Sequence, residues 1–208
     1  MSPALPPVTR AIILANVAVF LLQQVAGDTL VELFALWPIG YPTGHPLFEP
    51  WQLVTYSFLH DGRLARLDIA HIFFNMFALF MFGGPLEKFW GSRRFAGYYL
   101  VSVISAAATE LLVQNATHAG EPVIGASGGV FGLLLAFAWY FPREPLYLLF
   151  LPIALPAWLV VTAYGAIELI LGVTGAVAGV AHFAHLGGML GGALSILYWR
   201  IRGRFAER

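Results

Sequence analysis

The sequence has no cysteine and few charged residues, and each shortage excludes certain classes of protein or of functional site. Without cysteine there are no disulfides, thiolate nucleophiles or cysteine-ligated metals. Charged residues make up 11% of the 208 residues, against about 25% in a typical soluble domain. Such a chain has too little polar surface to cover a water-soluble globule. With a net charge of zero it also lacks the basic footprint of a nucleic-acid-binding protein, so we expect no nucleic-acid partner.

Long apolar runs are abundant instead. Hydrophobic residues make up 59% of the chain, in blocks close to the ~20 residues that a helix needs to span a bilayer. The segments outside these blocks are too short to bury a soluble core, which predicts one membrane-embedded domain over residues 1–208 and no separate soluble domain. We predict an all-α, polytopic membrane protein with six transmembrane helices at about 10–26, 69–86, 94–114, 126–142, 146–171 and 180–201.

The charges flanking these blocks predict the topology. Arg10, the apolar stretch after it and "VAGD" have the outline of a signal peptide, but five later spans favour a retained helix. Lysine and arginine divide nine to two between the two sides, which predicts cytoplasmic termini and outer-facing starts for the fourth and sixth helices. The richer side would hold Arg10, Lys88, Arg93, Arg94, Arg143, Arg200, Arg202, Arg204 and Arg208, and the other side Arg63 and Arg66.

The fourth and sixth predicted helices each begin with a polar side chain followed by glycines. Ser127 opens the fourth in "GASGG", and His185 lies early in the sixth, in "AHFAHLGGMLGG". Small residues at helical spacing allow two helix backbones to approach closely inside a bilayer. We therefore predict that Ser127 and His185 meet. His182, one turn further out, is the rival base, but it lacks glycines three and seven residues later. The glycines in question are Gly128 and Gly132, and Gly188 and Gly192.

The second predicted helix adds polar groups at a similar depth. His71 and Asn75 are four residues apart and stack on one helical face. A serine nucleophile needs an adjacent base, here His185, and the oxyanion formed on an attacked amide needs donors fixed in advance. Asn75, His71 and the Ser127 backbone N–H are the candidate donors. Since no acidic residue adjoins His185 in sequence, the simplest hypothesis is a Ser127–His185 dyad.

Each of these residues also has a structural interpretation. Ser127 could be a small helix-packing residue, His71 could hydrogen-bond the loop, and Asn75 could join two helices. "GASGG" matches the nucleophile elbow of soluble hydrolases as well, but a loop and not a strand precedes it. Glu110 and Glu168 fall within predicted spans and are expected to be structural or solvated.

The remaining histidines are expected to be loop residues, and no cofactor is predicted. No HExxH or comparable spacing is present, so we also predict no metal site. These histidines are His45, His60 and His118.

Three motifs together resemble the rhomboid intramembrane serine proteases: "HIFFN", "GASG" and "AHLGGMLGG", with "GGPLEKFWGSRRF" after the second helix. The resemblance covers residues of about 50–200 in six spans. It implies hydrolysis of peptide bonds in or near transmembrane segments of protein substrates within the lipid bilayer. Ser127 would be the nucleophile and His185 the base. The oxyanion and substrate site would be formed by His71, Asn75 and Gly125, with Phe131 stacked on the catalytic imidazole.

The chain departs from that family's pattern at three places. Phe131 stands where tyrosine is frequent, Trp51–Gln52 replaces Trp-Arg in the outer loop, and the segment from His60 to His71 is long. The family also suggests a gate between the second and fifth helices. Pro145, Pro152 and Pro156 could then bend the fifth helix.

Three function classes follow from the sequence. They are an intramembrane serine protease, an inactive rhomboid-like protein that binds transmembrane segments, and a small transporter using His, Asn and Glu as a relay. The intact Ser127–His185 pair favours the first over the second, and the third predicts inverted repeats that we do not find. A bacterial plasma membrane is expected, since no organelle-targeting segment precedes the first span. No oligomeric state is predicted.

Overall fold

The computed structural model describes residues 4–40, 46–64, 69–118, 120–147, 153–177 and 179–203. Of the residues considered above, His45, Arg66, Pro152, Arg204 and Arg208 lie outside these ranges. The described chain is mostly helical, with one two-stranded antiparallel sheet of β1 (Pro145–Tyr147) and β2 (Ala154–Pro156). The helices are α1 Pro7–Ala26, α2 Thr29–Phe34, α3 Gln52–Thr55, α4 Ala70–Ala78, α5 Gly84–Trp90, α6 Ser92–Thr117, α7 Ser127–Tyr140, α8 Ala157–Thr174 and α9 His182–Ile201.

By length and composition, three of the described helices can cross a bilayer: α1, α6 and α8. The helix α7 is apolar but only 14 residues long. A π-helical turn, Leu79–Gly83, joins α4 to α5, so that helical structure runs without a break from Ala70 to Trp90. The turn lies just before Pro85, whose ring displaces the preceding carbonyl and removes one helical hydrogen bond.

The predicted fifth span, 146–171, begins too early. Residues 145–147 and 154–156 form a hairpin, with Leu146 paired to Leu155, and α8 begins only at Ala157. Proline lacks a backbone N–H and restricts the residue before it, which suits a strand edge or a helix start. Pro145 and Pro156 therefore precede α8 and do not bend it, contrary to expectation. Since the apolar composition continues through the hairpin, hydropathy alone could not mark this boundary.

The core of the bundle is built on close backbone contacts between α7 and α9. A methyl group added at Gly188 would overlap the backbone carbonyl of Gly128, and one added at Gly132 would lie 3.1 Å from the Gly188 carbonyl oxygen. A Cβ added at Gly192, one turn later in α9, would lie 3.4 Å from the Gly132 carbonyl oxygen. The close approach predicted from the glycine spacing is thus confirmed. It brings the first turns of the two helices together.

Hydrogen bonds fasten α1 at both of its ends. At its start, the Glu87 carboxylate accepts from the backbone N–H groups of Val8 and Thr9 at 3.0 and 2.7 Å, which satisfies amides that lack helical partners. At its other end, Gln23 accepts from the His60 N–H at 3.0 Å and Gln24 accepts from the Leu64 N–H at 3.1 Å. This helix therefore holds the loop that carries His60.

Candidate active site

Ser127 is the first residue of α7, and the long segment between α1 and α4 fixes the backbone that leads into it. Val123 exchanges two backbone hydrogen bonds with Leu36, both 3.0 Å long, and the Gly125 N–H donates to the Tyr56 carbonyl at 3.0 Å. Irregular backbone inside a membrane protein is tolerated where protein groups satisfy it. The approach to Ser127 meets this condition. The first helical hydrogen bond of α7 runs from the Val130 N–H to the Ala126 carbonyl at 3.0 Å, so the N–H groups of Ser127 to Gly129 have no partner within the helix.

Ser127 and His185 are in hydrogen-bond contact. The Ser127 Oγ lies 2.8 Å from the His185 Nε2, although 58 residues separate them in sequence. The contact joins α7 to α9 one turn beyond the Gly128–Gly188 approach. A hydroxyl beside an imidazole nitrogen is the arrangement in which the base can take the proton of an attacking serine. His182, the rival base, lies further out and contacts Glu168 instead.

Phe131 holds the imidazole of His185 from one face. The two rings are parallel within 6° with centroids 4.2 Å apart, and the edge of Tyr164 from α8 contacts Phe131 at 6.3 Å. Stacking restricts rotation of the imidazole. A phenylalanine therefore supplies the contact expected of an aromatic at this position.

Gly125 is needed at its position for both conformation and space. Its φ of +124° is disfavoured for residues with a side chain, and a Cβ there would lie 2.8 Å from the His71 Nε2. The His71 Nδ1 accepts a hydrogen bond from the Asp61 backbone N–H at 3.2 Å, which assigns the ring proton to Nε2. The resulting N–H donor faces Gly125, whose side-chain position lies 3.8 Å from the Ser127 Oγ.

Asn75 lies one turn after His71 and is buried. Its amide nitrogen donates to the His71 backbone carbonyl at 2.9 Å, as their spacing allows. One of the two amide hydrogens makes this bond, so the second remains for another acceptor. The long segment before α4 leaves the His71–Asn75 pair intact.

His60 is a site residue that the sequence did not reveal. It lies in a loop as expected, but it is 1% exposed, and its ring contacts that of His71 edge-on with centroids 5.0 Å apart. Its Nε2 lies 3.5 Å from the Ala126 N–H, next to the serine. Burial, with a smaller effect from His71, lowers the pKa of His60 to about 3, so the ring is neutral at physiological pH. No motif or periodicity marks a loop histidine of this kind.

Glu168 was expected to be structural or solvated. In the structure it is buried and paired with other side chains, and not solvated. It is 8% exposed on α8, and its Oε2 lies 2.6 Å from the Nδ1 of His182 and 2.9 Å from the Nδ1 of His185. Since α8 and α9 are joined by a short connection, they run antiparallel. Residues near the end of α8 therefore lie beside residues near the start of α9. The order of the two spans in the sequence allowed this pairing, but nothing in the sequence identified Glu168 as the partner.

The three side chains of this cluster offer metal-ligand atoms within 4.8 Å of one another, a spacing that also suits a metal ion. The sequence search for metal motifs could not detect it, because the ligands come from two helices. The absence of a metal stays a prediction. Glu110 of α6 is likewise 8% exposed. Its carboxyl group interacts electrostatically with His182 and His185.

Gln52 anchors the segment between α1 and α4 at the position where the resemblance implies arginine. It is 1% exposed, accepts from the Trp37 N–H at 3.2 Å, and donates to the carbonyls of Leu47 and Leu33 at 3.3 and 3.5 Å. Its neighbour Trp51 donates to the same Leu33 carbonyl at 3.1 Å. A neutral amide therefore ties the described part of the loop to its own backbone.

Comparison with known proteins identifies the family. Residues 47–202 match the model of the rhomboid domain. The chain is 28% identical over 199 residues to the rhomboid protease GlpG of Serratia proteamaculans, covering 95% of this chain and 64% of that protein. It is 33% identical over 134 residues to GlpG of Klebsiella pneumoniae, covering 64% of this chain and 43% of that protein. It is 26% identical over 197 residues to GlpG of Yersinia pseudotuberculosis, covering 94% and 63%.

The chain thus spans less than two thirds of the length of these relatives. Its apolar helices and these matches together indicate an integral membrane protein of an intramembrane protease family. The match to the domain model extends through α9 and includes Ser127, His185 and the predicted oxyanion residues. This chain belongs to the rhomboid family.

Proposed function

We propose that the protein is an intramembrane serine endopeptidase that hydrolyses peptide bonds in or near the transmembrane segments of membrane-protein substrates. The observation that carries the proposal is the 2.8 Å contact between the Ser127 Oγ and the His185 Nε2. The two residues come from different helices, and the glycines of both helices allow the backbones to touch there. A serine that only filled space would not require a histidine on its hydroxyl.

The proposed reaction begins when the Ser127 Oγ attacks the carbonyl carbon of the scissile bond and its proton moves to the His185 Nε2. The tetrahedral intermediate collapses when His185 gives this proton to the departing amine, which leaves an acyl-enzyme. A water molecule then gives a proton to His185 and attacks the ester. When the second intermediate collapses, the proton returns to the Ser127 Oγ and the carboxyl product leaves.

The oxyanion of each intermediate needs fixed hydrogen-bond donors. The candidates are the Ser127 backbone N–H, the His71 Nε2–H that faces Gly125, and the second amide hydrogen of Asn75. Each such donor typically contributes about 3 kcal/mol of transition-state stabilisation. Gly125 leaves room for the oxyanion between His71 and Ser127, where any side chain would lie.

The proposed topology is a single domain over residues 1–208 with six spans in the bacterial inner membrane. The six are α1, the run from α4 to α5, α6, α7, α8 and α9, with cytoplasmic termini and the active site toward the outer face. Among the described residues, seven lysines and arginines support the cytoplasmic assignment against Arg63 alone. These seven are Arg10, Lys88, Arg93, Arg94, Arg143, Arg200 and Arg202.

The length of α7 supports an active site recessed from the membrane surface. Its 14 residues extend about 21 Å, less than the ~30 Å of a bilayer's apolar core. If its inner end reaches the cytoplasmic boundary, Ser127 lies about 9 Å below the outer one, which follows from the same two lengths. That depth suits cleavage close to the end of a substrate's transmembrane helix.

The test is a cleavage assay in liposomes with a panel of model transmembrane substrates. Ser127→Ala and His185→Ala should each abolish cleavage. Ser195→Ala on α9, where the serine only donates to the Gly191 carbonyl, is the matched control and should keep the wild-type rate. Cleavage by either site variant would disprove the proposed pair. If the wild type cuts no substrate and Ser127 does not react with a fluorophosphonate, an inactive rhomboid-like binding protein becomes the better interpretation.

A further inference from the structure

The imidazole of His185 has another side chain close to each of its two nitrogens. Nε2 contacts the Ser127 hydroxyl at 2.8 Å, and Nδ1 lies 2.9 Å from the Oε2 of Glu168. For Nε2 to accept the proton of Ser127, the ring must carry its own proton on Nδ1. A carboxylate at Nδ1 stabilises this tautomer, and it also stabilises the positive charge of the ring after proton transfer.

We propose that Glu168 is a positioning residue for the cleavage reaction, so that the site is a Ser127–His185–Glu168 triad and not a dyad. The inference rests on the proposed function. Glu168 takes no proton in any step. It holds the Nδ1–H of His185 while the Nε2 receives the proton of Ser127 and later gives it to the leaving amine.

The burial of Glu168 supports a role in positioning His185. Four residues of α8 are buried: Ala157, Val160, Val161 and Glu168. The first three lie in the opening turns, and the neighbours of Glu168 on both sides, Ile167 and Leu169, are exposed as lipid-facing residues are. An ionisable side chain inside a membrane protein is unfavourable unless it is paired, and it usually marks a functional site. Glu168 is paired with two imidazoles.

The second imidazole holds the carboxylate in place. His182 is 6% exposed, and its Nδ1 makes a 2.6 Å hydrogen bond to the same Oε2 that His185 contacts. The contact to His185 is short but less well aligned than the one to His182. Catalytic hydrogen bonds are often poorly aligned without substrate and tighten when the reacting complex forms. Gly172 permits the close packing, since a Cβ there would lie 3.2 Å from the His182 Cβ.

Glu168→Gln is the primary test, because it removes the charge and keeps the shape. In liposomes, kcat should fall about 10- to 100-fold, the range for losing a hydrogen bond to a charged group, while KM stays within about twofold. Glu168→Asp keeps the carboxylate and should recover part of the lost rate. Glu110→Gln is the matched comparison, since Glu110 is equally buried on α6 but interacts with His185 only through longer-range electrostatics, and its kcat should fall less than that of Glu168→Gln.

A spectroscopic measurement tests the inference without activity. In ¹⁵N-histidine-labelled protein, the His185 ring should carry its proton on Nδ1 in the wild type and lose this preference in Glu168→Gln. His185→Gln assigns the signal. If Glu168 only held α8 and α9 together, Glu168→Gln would lower the thermal stability or raise KM, but it would not change the His185 tautomer.

The outcomes separate this inference from the proposed function. If Ser127→Ala is inactive and Glu168→Gln cleaves at the wild-type rate, the triad is overturned and the protease stands. If Glu168→Gln and Glu110→Gln lose kcat equally, the effect is a general one of buried charge and the triad is overturned. If the wild type is inactive, the protease fails, and an unchanged His185 tautomer in Glu168→Gln would overturn the positioning role as well.

Discussion

Gly188 of α9 lies against the backbone carbonyl of Gly128 in α7, close enough that a single methyl group would overlap it. This contact lies one turn from the 2.8 Å pair of Ser127 and His185. The distance between the two proposed catalytic groups therefore depends on the absence of a side chain three residues after the histidine.

The first prediction is that Gly188→Ala abolishes cleavage. The added methyl forces α9 away from α7 and separates the hydroxyl from the imidazole, and overpacking of this kind destabilises a core by about 1–3 kcal/mol. Gly97→Ala is the control, because a Cβ at Gly97 in α6 meets nothing within 4 Å. Fluorophosphonate labelling of Ser127 and the cleavage rate measure the effect. Wild-type labelling of Gly188→Ala would show that the glycine contact does not set the distance.

The second prediction concerns the space at Gly125. Gly125→Ala places a methyl group 2.8 Å from the His71 Nε2 and strains a backbone with a φ of +124°, so we expect kcat to fall by at least about 10²-fold, as when an oxyanion donor is lost. Gly40→Ala is the control for backbone strain alone, with a φ of +78° and no atom within 4 Å of its Cβ. Should both variants lose activity equally, strain and not the donor is responsible.

The third prediction concerns the ring stacked on His185. Phe131→Leu removes the parallel contact at 4.2 Å, and an aromatic pair of this kind contributes about 0.5–1.5 kcal/mol. Losing this stacking energy in the transition state corresponds to a fall in kcat of about 2- to 10-fold. Phe131→Tyr preserves the stack and should keep the wild-type kcat. Steady-state kinetics of the two variants decide it, and an equal loss in both would exclude stacking as the cause.

The fourth prediction concerns acid stability. The pKa of His60 is about 3 in the folded protein, because burial disfavours the charged ring, against about 6.5 in the unfolded chain. As the pH falls, the unfolded chain takes up the proton first. The stability due to neutral His60 is therefore full above about pH 6.5 and is lost as the pH falls toward about 3, by up to about 1.4 kcal/mol per pH unit.

Replacing His60 tests this dependence. His60→Gln should lower the melting temperature at pH 7.5 but reduce its decline between pH 7 and pH 5, since glutamine does not titrate. His118→Asn, at an exposed residue with positive φ, should keep the wild-type pH dependence. An unchanged decline in His60→Gln would assign the acid sensitivity to other groups.

The sequence was most informative where the determinant is local. Apolar blocks located the helices, and the spacing of Gly188 and Gly192 predicted which face of α9 would approach α7. It was least informative where partners come from distant segments. Nothing near His185 in sequence indicates Glu168, because the pairing depends on how α8 and α9 pack. His60 depends likewise on a loop folded onto α1, and the hairpin before α8 was hidden by its apolar composition.

The attachments of α1 have a consequence for biosynthesis. The hydrogen-bond partners of Gln23 and Gln24 follow them in the chain by 37 and 40 residues, and Glu87 follows Thr9 by 78. Until those segments emerge from the ribosome, the polar groups at both ends of α1 remain hydrated at the membrane surfaces. The attachments of α1 can therefore form once residues 60–87 have been made, before the segment that carries Ser127 is synthesised.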